Sequence, residues 1–324
     1  MQKIKVGIVG YGNVGRGVEK AVNSAPDMEL AAFFTRRAPD MLETASKSVP
    51  VVSVSDAKSY QDKIDVMILC GGSATDLAEQ GPHFASMFNI VDSFDTHAKI
   101  PEYLKAVDAA AKSTAAVISS GWDPGLFSLM RLISNCALPD GDDYTFWGYG
   151  VSQGHSDAIR RIDGVARAVQ YTVPVDAAVS AVKSGTRPQL TTREKHTREC
   201  YVVLKDGADA AKIEKEIKEM PNYFSDYDTT VNFISDKEFS EKHTKMPHGG
   251  TVFRSGNTGE NKQVMEFSLT LGSNPEFTGS VLTAYARAAY RLAKENSFGA
   301  KTVFDIPATY LSDKDRLELI SNLL

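Results

Sequence analysis

The run Gly10-Tyr11-Gly12-Asn13-Val14-Gly15 has the spacing G-x-G-x-x-G. In a dinucleotide fold the first glycine makes the tight turn, the second admits a pyrophosphate against the backbone, and the third allows close helix-to-strand packing. Glycines gather in any tight turn, so the flanks decide. Here Ile4, Val6, Ile8 and Val9 precede the run as a buried strand, and Val14, Val18, Ala21 and Val22 follow at helical spacing. The turn therefore opens a helix whose first N–H groups can face an anion. About twenty residues further on, where an NAD-selective fold carries an acid, stand Thr35, Arg36 and Arg37. Guanidinium forks match phosphate oxygens in bidentate fashion, so the expected cofactor is NADP(H). A second turn, Gly71-Gly72-Ser73-Ala74-Thr75-Asp76, follows the apolar segment 64–70. Ligands of open α/β sheets bind beyond strand C-termini, which places this turn near the nicotinamide half.

Two acids are expected just past later strand ends: Asp95 in Asp92-Ser93-Phe94-Asp95-Thr96-His97, and Asp123 in Gly121-Trp122-Asp123-Pro124-Gly125. Carboxylates at such places hold an ammonium group or take its proton. Opposite charge comes later, from Arg198 at the opening of a strand and from His248 in Met246-Pro247-His248-Gly249-Gly250, a stretch read as a loop too glycine-rich to be a core element. Both residue types bind carboxylates. His155-Ser156-Asp157 holds hydrolase residue types, but triad members meet through the fold rather than as sequence neighbours. His243 and His248 have poor zinc spacing and no third ligand nearby, so no metal site is expected.

The elements that must position these groups fall into two patterns. Segments 4–9, 30–34, 49–54, 64–70, 88–92 and 115–119 read as strands, with helices between several of them, one at 102–112 behind Pro101. That alternation describes a Rossmann-type doubly wound parallel sheet. Beyond Gly121, strand patterns at 144–147, 198–204, 229–234 and 263–271 dominate, with helices at 126–136 and 209–220. An α+β domain with an open, mostly antiparallel sheet follows. The long helix 277–296 carries Val281, Ala284, Tyr285, Ala288 and Leu292 on one stripe. The expected division is a dinucleotide-binding domain at 1–122, a substrate-binding and dimerisation domain at 123–274, and a return of 275–324 to the first.

A chain of 324 residues supports two such cores. Its 42% hydrophobic and 24% charged residues are those of an ordinary globular protein, and a net charge of -5 disfavours nucleic-acid binding. Cys70, Cys136 and Cys200 are too few and too scattered for a disulfide framework. With no apolar run of bilayer length and no signal-like start, a cytoplasmic protein without a membrane partner is expected.

These blocks, together with Thr145-Phe146-Trp147-Gly148, the run Ser152-Gln153-Gly154-His155-Ser156-Asp157-Ala158, and Asn274-Pro275, resemble the meso-diaminopimelate D-dehydrogenase family over essentially the whole chain. The resemblance implies a homodimeric NADP-dependent enzyme that oxidatively deaminates the D-centre of meso-2,6-diaminopimelate. It places Asp95 and Asp123 near the reacting amino group, and Trp147 with Ser152, Gln153 and Gly154 at the D-centre carboxylate. It places Thr172, Arg198 and His248 at the distal L-carboxylate and Asn274 at the L-end. Other reductases of the same plan, of dihydrodipicolinate-reductase or homoserine-dehydrogenase type, would share residues 1–120 but not the Trp122-Asp123 and Met246-Pro247-His248 blocks. A non-catalytic NADP sensor would need no paired acids.

Overall fold

A computed structural model describes residues 3–324. The chain divides into two compact units, Met1–Leu129 with Pro275–Leu324, and Met130–Asn274. Strands β1 (Ile4–Val9), β2 (Met28–Thr35), β3 (Val51–Ser53), β4 (Val66–Leu69), β5 (Ile90–Asp92) and β6 (Ala115–Val117) begin the first unit. Helices α1 (Asn13–Ser24), α2 (Ala78–Ala85) and α3 (Ile100–Ala110) lie between them, and α4 (Leu126–Ala137) leads out. The second unit holds β7 (Gly141–Trp147), β8 (Gly150–Val151), β9 (Val165–Pro174), β10 (His196–Leu204), β11 (Asp228–Phe233), β12 (His248–Thr258) and β13 (Asn261–Leu271). Its helices are α5 (Gln153–Arg160), α6 (Asp176–Lys183), α7 (Thr192–Lys195), α8 (Ala210–Glu219) and α9 (Asp236–Lys242). Helix α10 (Asn274–Lys294), strand β14 (Gly299–Lys301) and helix α11 (Arg316–Leu323) complete the chain.

In the first unit seven parallel strands lie in the order β14-β6-β5-β4-β1-β2-β3. The chain reverses direction of growth between β1 and β4, the switch point at which a doubly wound sheet opens its ligand crevice. Helices cover both faces, which is why β4 is buried at every residue and reads as an unbroken apolar run. One face packs on α1 and α10 through Val18, Val22, Val281, Leu282 and Tyr285; the other packs on α2 and α3 through Phe84, Tyr103 and Val107.

Helix α10 is buried on far more than one stripe, with Leu282, Ala286 and Ala289 as enclosed as Tyr285, whereas Ala284 is only half-buried. It also buries Arg287, whose guanidinium donates to both carboxylate oxygens of Asp27 at 2.6 and 2.7 Å and to the Leu311 carbonyl at 2.6 Å. Hydrogen bonding by Arg287 holds the Asp27 carboxyl below its usual pKa. Asp27→Ala leaves that buried cation without its counter-charge, so unfolding free energy should drop by about 2–3 kcal/mol, scored by urea denaturation.

The second unit has two sheets rather than one. Four strands lie in the order β11-β10-β9-β8, antiparallel except for the parallel β10–β11 pair, and three antiparallel strands lie in the order β13-β12-β7. The loop expected over Met246 to Gly250 holds only for Met246 and Pro247: β12 begins at His248 and forms the centre of the smaller sheet, so the glycines lie in a strand. Gly249 and Gly250 sit there at φ 150° and 156°, and a Cβ would lie 2.1 Å from the Leu269 carbonyl oxygen and 2.4 Å from that of Phe146. The glycines are there so that three backbones can come together, not to make a turn.

Candidate active site

The first unit carries its candidate groups at the C-terminal ends of β1, β2, β4, β5 and β6. Gly10 has φ +87°, and a Cβ on Gly15 would lie 2.3 Å from the Gly10 carbonyl oxygen, so the turn and the start of α1 are as tight as the motif demands. Gly12 caps α1 with no side-chain hydrogen bond, no acid stands in the first turn, and a Cβ at Gly12 would meet nothing within 4 Å. A helix N-terminus without an acid and with an open approach to its backbone suits a pyrophosphate. Asn13, Val14 and Gly15 form the first turn of the helix.

One cleft is lined by Gly10, Tyr11 and Gly12, by Thr35, Arg36 and Arg37, and by Gly71 and Gly72. Thr35 is buried, and its hydroxyl accepts from the Arg37 N–H at 3.1 Å. Arg36 is exposed and pairs with Asp76 at 2.8 Å, while the Asp76 carboxylate also accepts from the Gly72 N–H at 3.1 Å. Asp76 therefore joins the arginine to the second glycine turn. A 2′-phosphate fits this donor set, since the strand end offers guanidinium and hydroxyl groups and no acid that would take a ribose hydroxyl. Ser73, Ala74 and Thr75 lie in a single wide helical turn, Ser73–Leu77, ahead of α2.

Asp95 is exposed, and its backbone N–H donates to the Ser73 hydroxyl at 3.0 Å. Asp123 is half-buried in the turn before α4, where Trp122 lies edge-on to Phe127 at 5.3 Å. Both acids thus belong to neighbouring loops of one sheet edge.

In the second unit sheet register gathers groups that are far apart in sequence. Arg198 stands opposite Thr172, and Thr172 opposite Gly150. Gly250 stands opposite Trp147 and the Gly148 N–H donates to the Gly249 carbonyl at 3.0 Å, which brings β7 to β12. The His248 ring lies against Gly150, where an added Cβ would come within 2.6 Å of it. Val151 N–H donates to the Pro247 carbonyl and Asn274 N–H to that of Met246, both at 2.9 Å. Trp147, Thr172, Arg198, His248 and Asn274 are therefore brought together through β7 to β10 and β12. Ser152 caps α5, leaving Gln153 and Gly154 exposed in its first turn.

Arg198 is buried. It donates to the Thr172 hydroxyl, its guanidinium lies 3.8 Å over the Tyr227 ring, and its Nε has no hydrogen-bond partner. Burial lowers its pKa, so the charge is held at a cost. Among the described residues no carboxylate pairs with it, and an anionic ligand is what such a cation lacks.

Two further residues, His196 and Tyr227, escape a motif-based reading. His196, Arg198 and Cys200 share the buried face of β10, which starts before Arg198 rather than at it. The available signal was the period of two that puts His196 and Arg198 on the same side as Cys200 and Val202. His196 accepts the Trp147 backbone N–H on Nε2 at 2.9 Å and stacks under the indole at 5.5 Å. Its Nε2 must be unprotonated. Burial, then the charges of Arg198 and Lys195, lower its pKa to about 4, and burial and Arg198 do the same to His155. Between the ordinary value of about 6.5 and this one, the unfolded chain binds a proton that the native ring refuses. Stability is therefore complete above pH 6.5 and drops as acid approaches pH 4, by about 3 kcal/mol for His196. Thermal melts over this range should show the decline, and His196→Gln, which keeps an acceptor without titrating, should remove the share due to His196 and leave that of His155.

Taken together, the switch-point sheet with its phosphate-ready turn and strand-end acids define a pyridine-nucleotide-dependent oxidoreductase. Residues 121–273 match the diaminopimelic acid dehydrogenase C-terminal domain. The chain is 63% identical to the meso-diaminopimelate D-dehydrogenase of Ureibacillus thermosphaericus over all of both chains. Among solved structures, a substituted meso-diaminopimelate dehydrogenase of Clostridium tetani with diaminopimelate is 54% identical, with a TM-score of 0.93 over 99% of this chain and 100% of that one. An engineered D-amino acid dehydrogenase bound to NADP+ is 42% identical, with a TM-score of 0.86 over all of both. The chain belongs to the meso-diaminopimelate D-dehydrogenase family.

Proposed function

We propose that this chain oxidises the D-centre of meso-2,6-diaminopimelate with NADP+. The products are L-2-amino-6-oxopimelate, which cyclises to tetrahydrodipicolinate, with ammonium, NADPH and a proton; the reverse reaction builds a lysine and peptidoglycan precursor. The observation that carries this reading is Arg198, a buried cation gripped by Thr172 and Tyr227 that no carboxylate among the described residues neutralises. A substrate with a second carboxylate answers it.

NADP+, when bound, accepts the hydride from the D-centre carbon. The substrate ammonium must first lose a proton, because only the neutral amine can push out hydride and become an imine. Asp95 and Asp123 are assigned to that amino group, favouring the ammonium in the ground state and receiving its proton. Water then adds to the imine carbon, and the C–N bond breaks to leave the ketone and ammonium. Gly10 to Gly15 hold the pyrophosphate; Thr35, Arg36 and Arg37 hold the 2′-phosphate; the turn Gly71 to Thr75 flanks the nicotinamide. Trp147 with Ser152, Gln153 and Gly154 bind the D-centre carboxylate, the last three through the N-terminus of α5. Thr172, Arg198 and His248 bind the L-carboxylate and Asn274 the L-end, so that the far anchor decides which carbon faces the cofactor.

The working form is assigned as a homodimer in the cytoplasm. Leu132 and Ile133 on α4 and Val264 on the edge strand β13 expose apolar surface that a second copy would cover. Cys70, Cys136 and Cys200 are free thiols, and no helix among the described residues is long and apolar enough to cross a membrane. The test of the activity is NADPH formation with meso-, LL- and DD-diaminopimelate offered separately. Turnover is expected only with isomers that have a D-centre, meso fastest; turnover of the LL isomer contradicts the assignment.

A further inference from the structure

We propose that Asp92 is a positioning residue, a buried carboxylate that sets the two acid-bearing loops of the first unit against one another. The proposal rests on the assignment of Asp95 and Asp123 to the reacting amino group.

Asp92 ends β5 and is wholly buried. Its Oδ1 accepts from the Phe94 N–H at 2.9 Å and from the Ser119 N–H at 3.0 Å, and its Oδ2 accepts from the Tyr103 hydroxyl at 2.6 Å. Its backbone carbonyl accepts from both the N–H and the hydroxyl of Ser120, at 2.9 and 3.0 Å. One residue thereby fastens the loop that runs on to Asp95 and the loop that runs on to Asp123. Ser119 takes φ 53°, an uncommon conformation for serine, while its N–H is held on Oδ1. The Tyr103 ring stacks on Phe94 at 4.1 Å, so Phe94 is held by its ring as well as its backbone. Gly81 leaves the space for that hydroxyl, since a Cβ there would lie 2.0 Å from it. The Asp95 N–H bond to Ser73 extends the same linkage to the second glycine turn.

An apolar residue would fill the end of β5 without desolvating a carboxylate. Burial raises the Asp92 pKa against the three hydrogen bonds that lower it, so this position is held at a cost. What the carboxylate supplies and an apolar side chain does not is two acceptors at fixed points, one shared by two loops. Proton transfer and hydride departure require placement finer than packing alone enforces, and a small displacement of a reacting group costs up to about a hundredfold in rate.

The experiment compares Asp92→Ala, Asp92→Asn and Tyr103→Phe, each alone and combined with Asp123→Asn, for kcat on meso-diaminopimelate and for NADP+ affinity by fluorescence titration. Asp92→Ala should lower kcat by about ten- to a hundredfold with NADP+ affinity unchanged. Asp92→Asn, which keeps an oxygen for Phe94 and Ser119, should restore most of the rate. With Asp123→Asn already present, Asp92→Ala should cost much less than it does alone, because both changes act on one constellation. Full kcat in Asp92→Ala, or equal losses in both backgrounds with NADP+ affinity falling in parallel, overturns the proposal and leaves Asp92 a purely structural residue. If Asp92→Ala does not fold, Tyr103→Phe, which removes the hydroxyl held on Oδ2 and keeps the ring, carries the same comparison: its kcat should fall several-fold with NADP+ affinity unchanged, and an unchanged kcat is the overturning result. Asp95→Asn and Asp123→Asn are measured singly beside them. Wild-type kcat in both withdraws the assignment of the acids themselves, a result separate from any outcome at Asp92.

Discussion

Arg198→Met is expected to raise KM for meso-diaminopimelate by about a hundredfold or more while leaving the folded state as stable as before or more so. Both parts follow from the same surroundings. The guanidinium is buried, meets the Thr172 hydroxyl at one edge and the Tyr227 ring on its face, and leaves its Nε unpaired. A substrate carboxylate would convert this unpaired charge into a desolvated, hydrogen-bonded pair, and losing one side of such a pair costs about 2–5 kcal/mol. The free protein gains nothing comparable from the charge, since burial already lowers the arginine pKa. Methionine fills similar volume without desolvating a charge, which is neutral or stabilising by about 1–4 kcal/mol in comparable sites. Steady-state kinetics and thermal melts on one preparation measure both. An unchanged KM removes Arg198 from the substrate site; a lost fold would mean that its role is structural.

Replacing Arg36 and Arg37 together by alanine should weaken NADP+ by about two to three orders of magnitude and NAD+ far less. Each charged hydrogen bond to the 2′-phosphate contributes about 1.5–3 kcal/mol, and NAD+ has no such group to lose. The pairing of Arg36 with Asp76 sharpens the expectation. It joins an exposed guanidinium to a largely buried carboxylate, and a dianionic phosphate can share or replace it. Once Arg36 is gone, the Asp76 carboxylate remains in the cleft, held by the Gly72 N–H, and repels a phosphate. Equal losses for the two cofactors, read from separate binding titrations, would contradict the phosphate assignment.

The cofactor half was legible because its chemistry is local. A strand, a glycine turn and a helix are consecutive in sequence, and Arg36 follows from where β2 must end. The second unit was harder to read. Strand β9, which carries Thr172, was missed although Asp163-Gly164, with Gly164 at φ +88°, turns the chain into it, and β12 was hidden by glycines that signal a loop by composition but serve a close contact between strands. The buried stripe of α10 was partly visible, yet its other faces are covered too, and nothing in a helical period says how many neighbours a helix has. His196 and Tyr227 had no motif; only the pairing and packing of β10 give them a place beside Trp147 and Arg198.

By itself, then, the sequence determined the class of sheet, the turn that faces a pyrophosphate and the arginines that favour a 2′-phosphate, because strand and helix periods and turn stereochemistry act over a few neighbouring residues. Tertiary structure alone decided that Arg198 is buried where no carboxylate among the described residues pairs with it, that His196 is held neutral under Trp147, and that Asp92 ties two loops from beneath. Each of these depends on desolvation and on partners brought in by strand register, and neither quantity exists until the chain has folded.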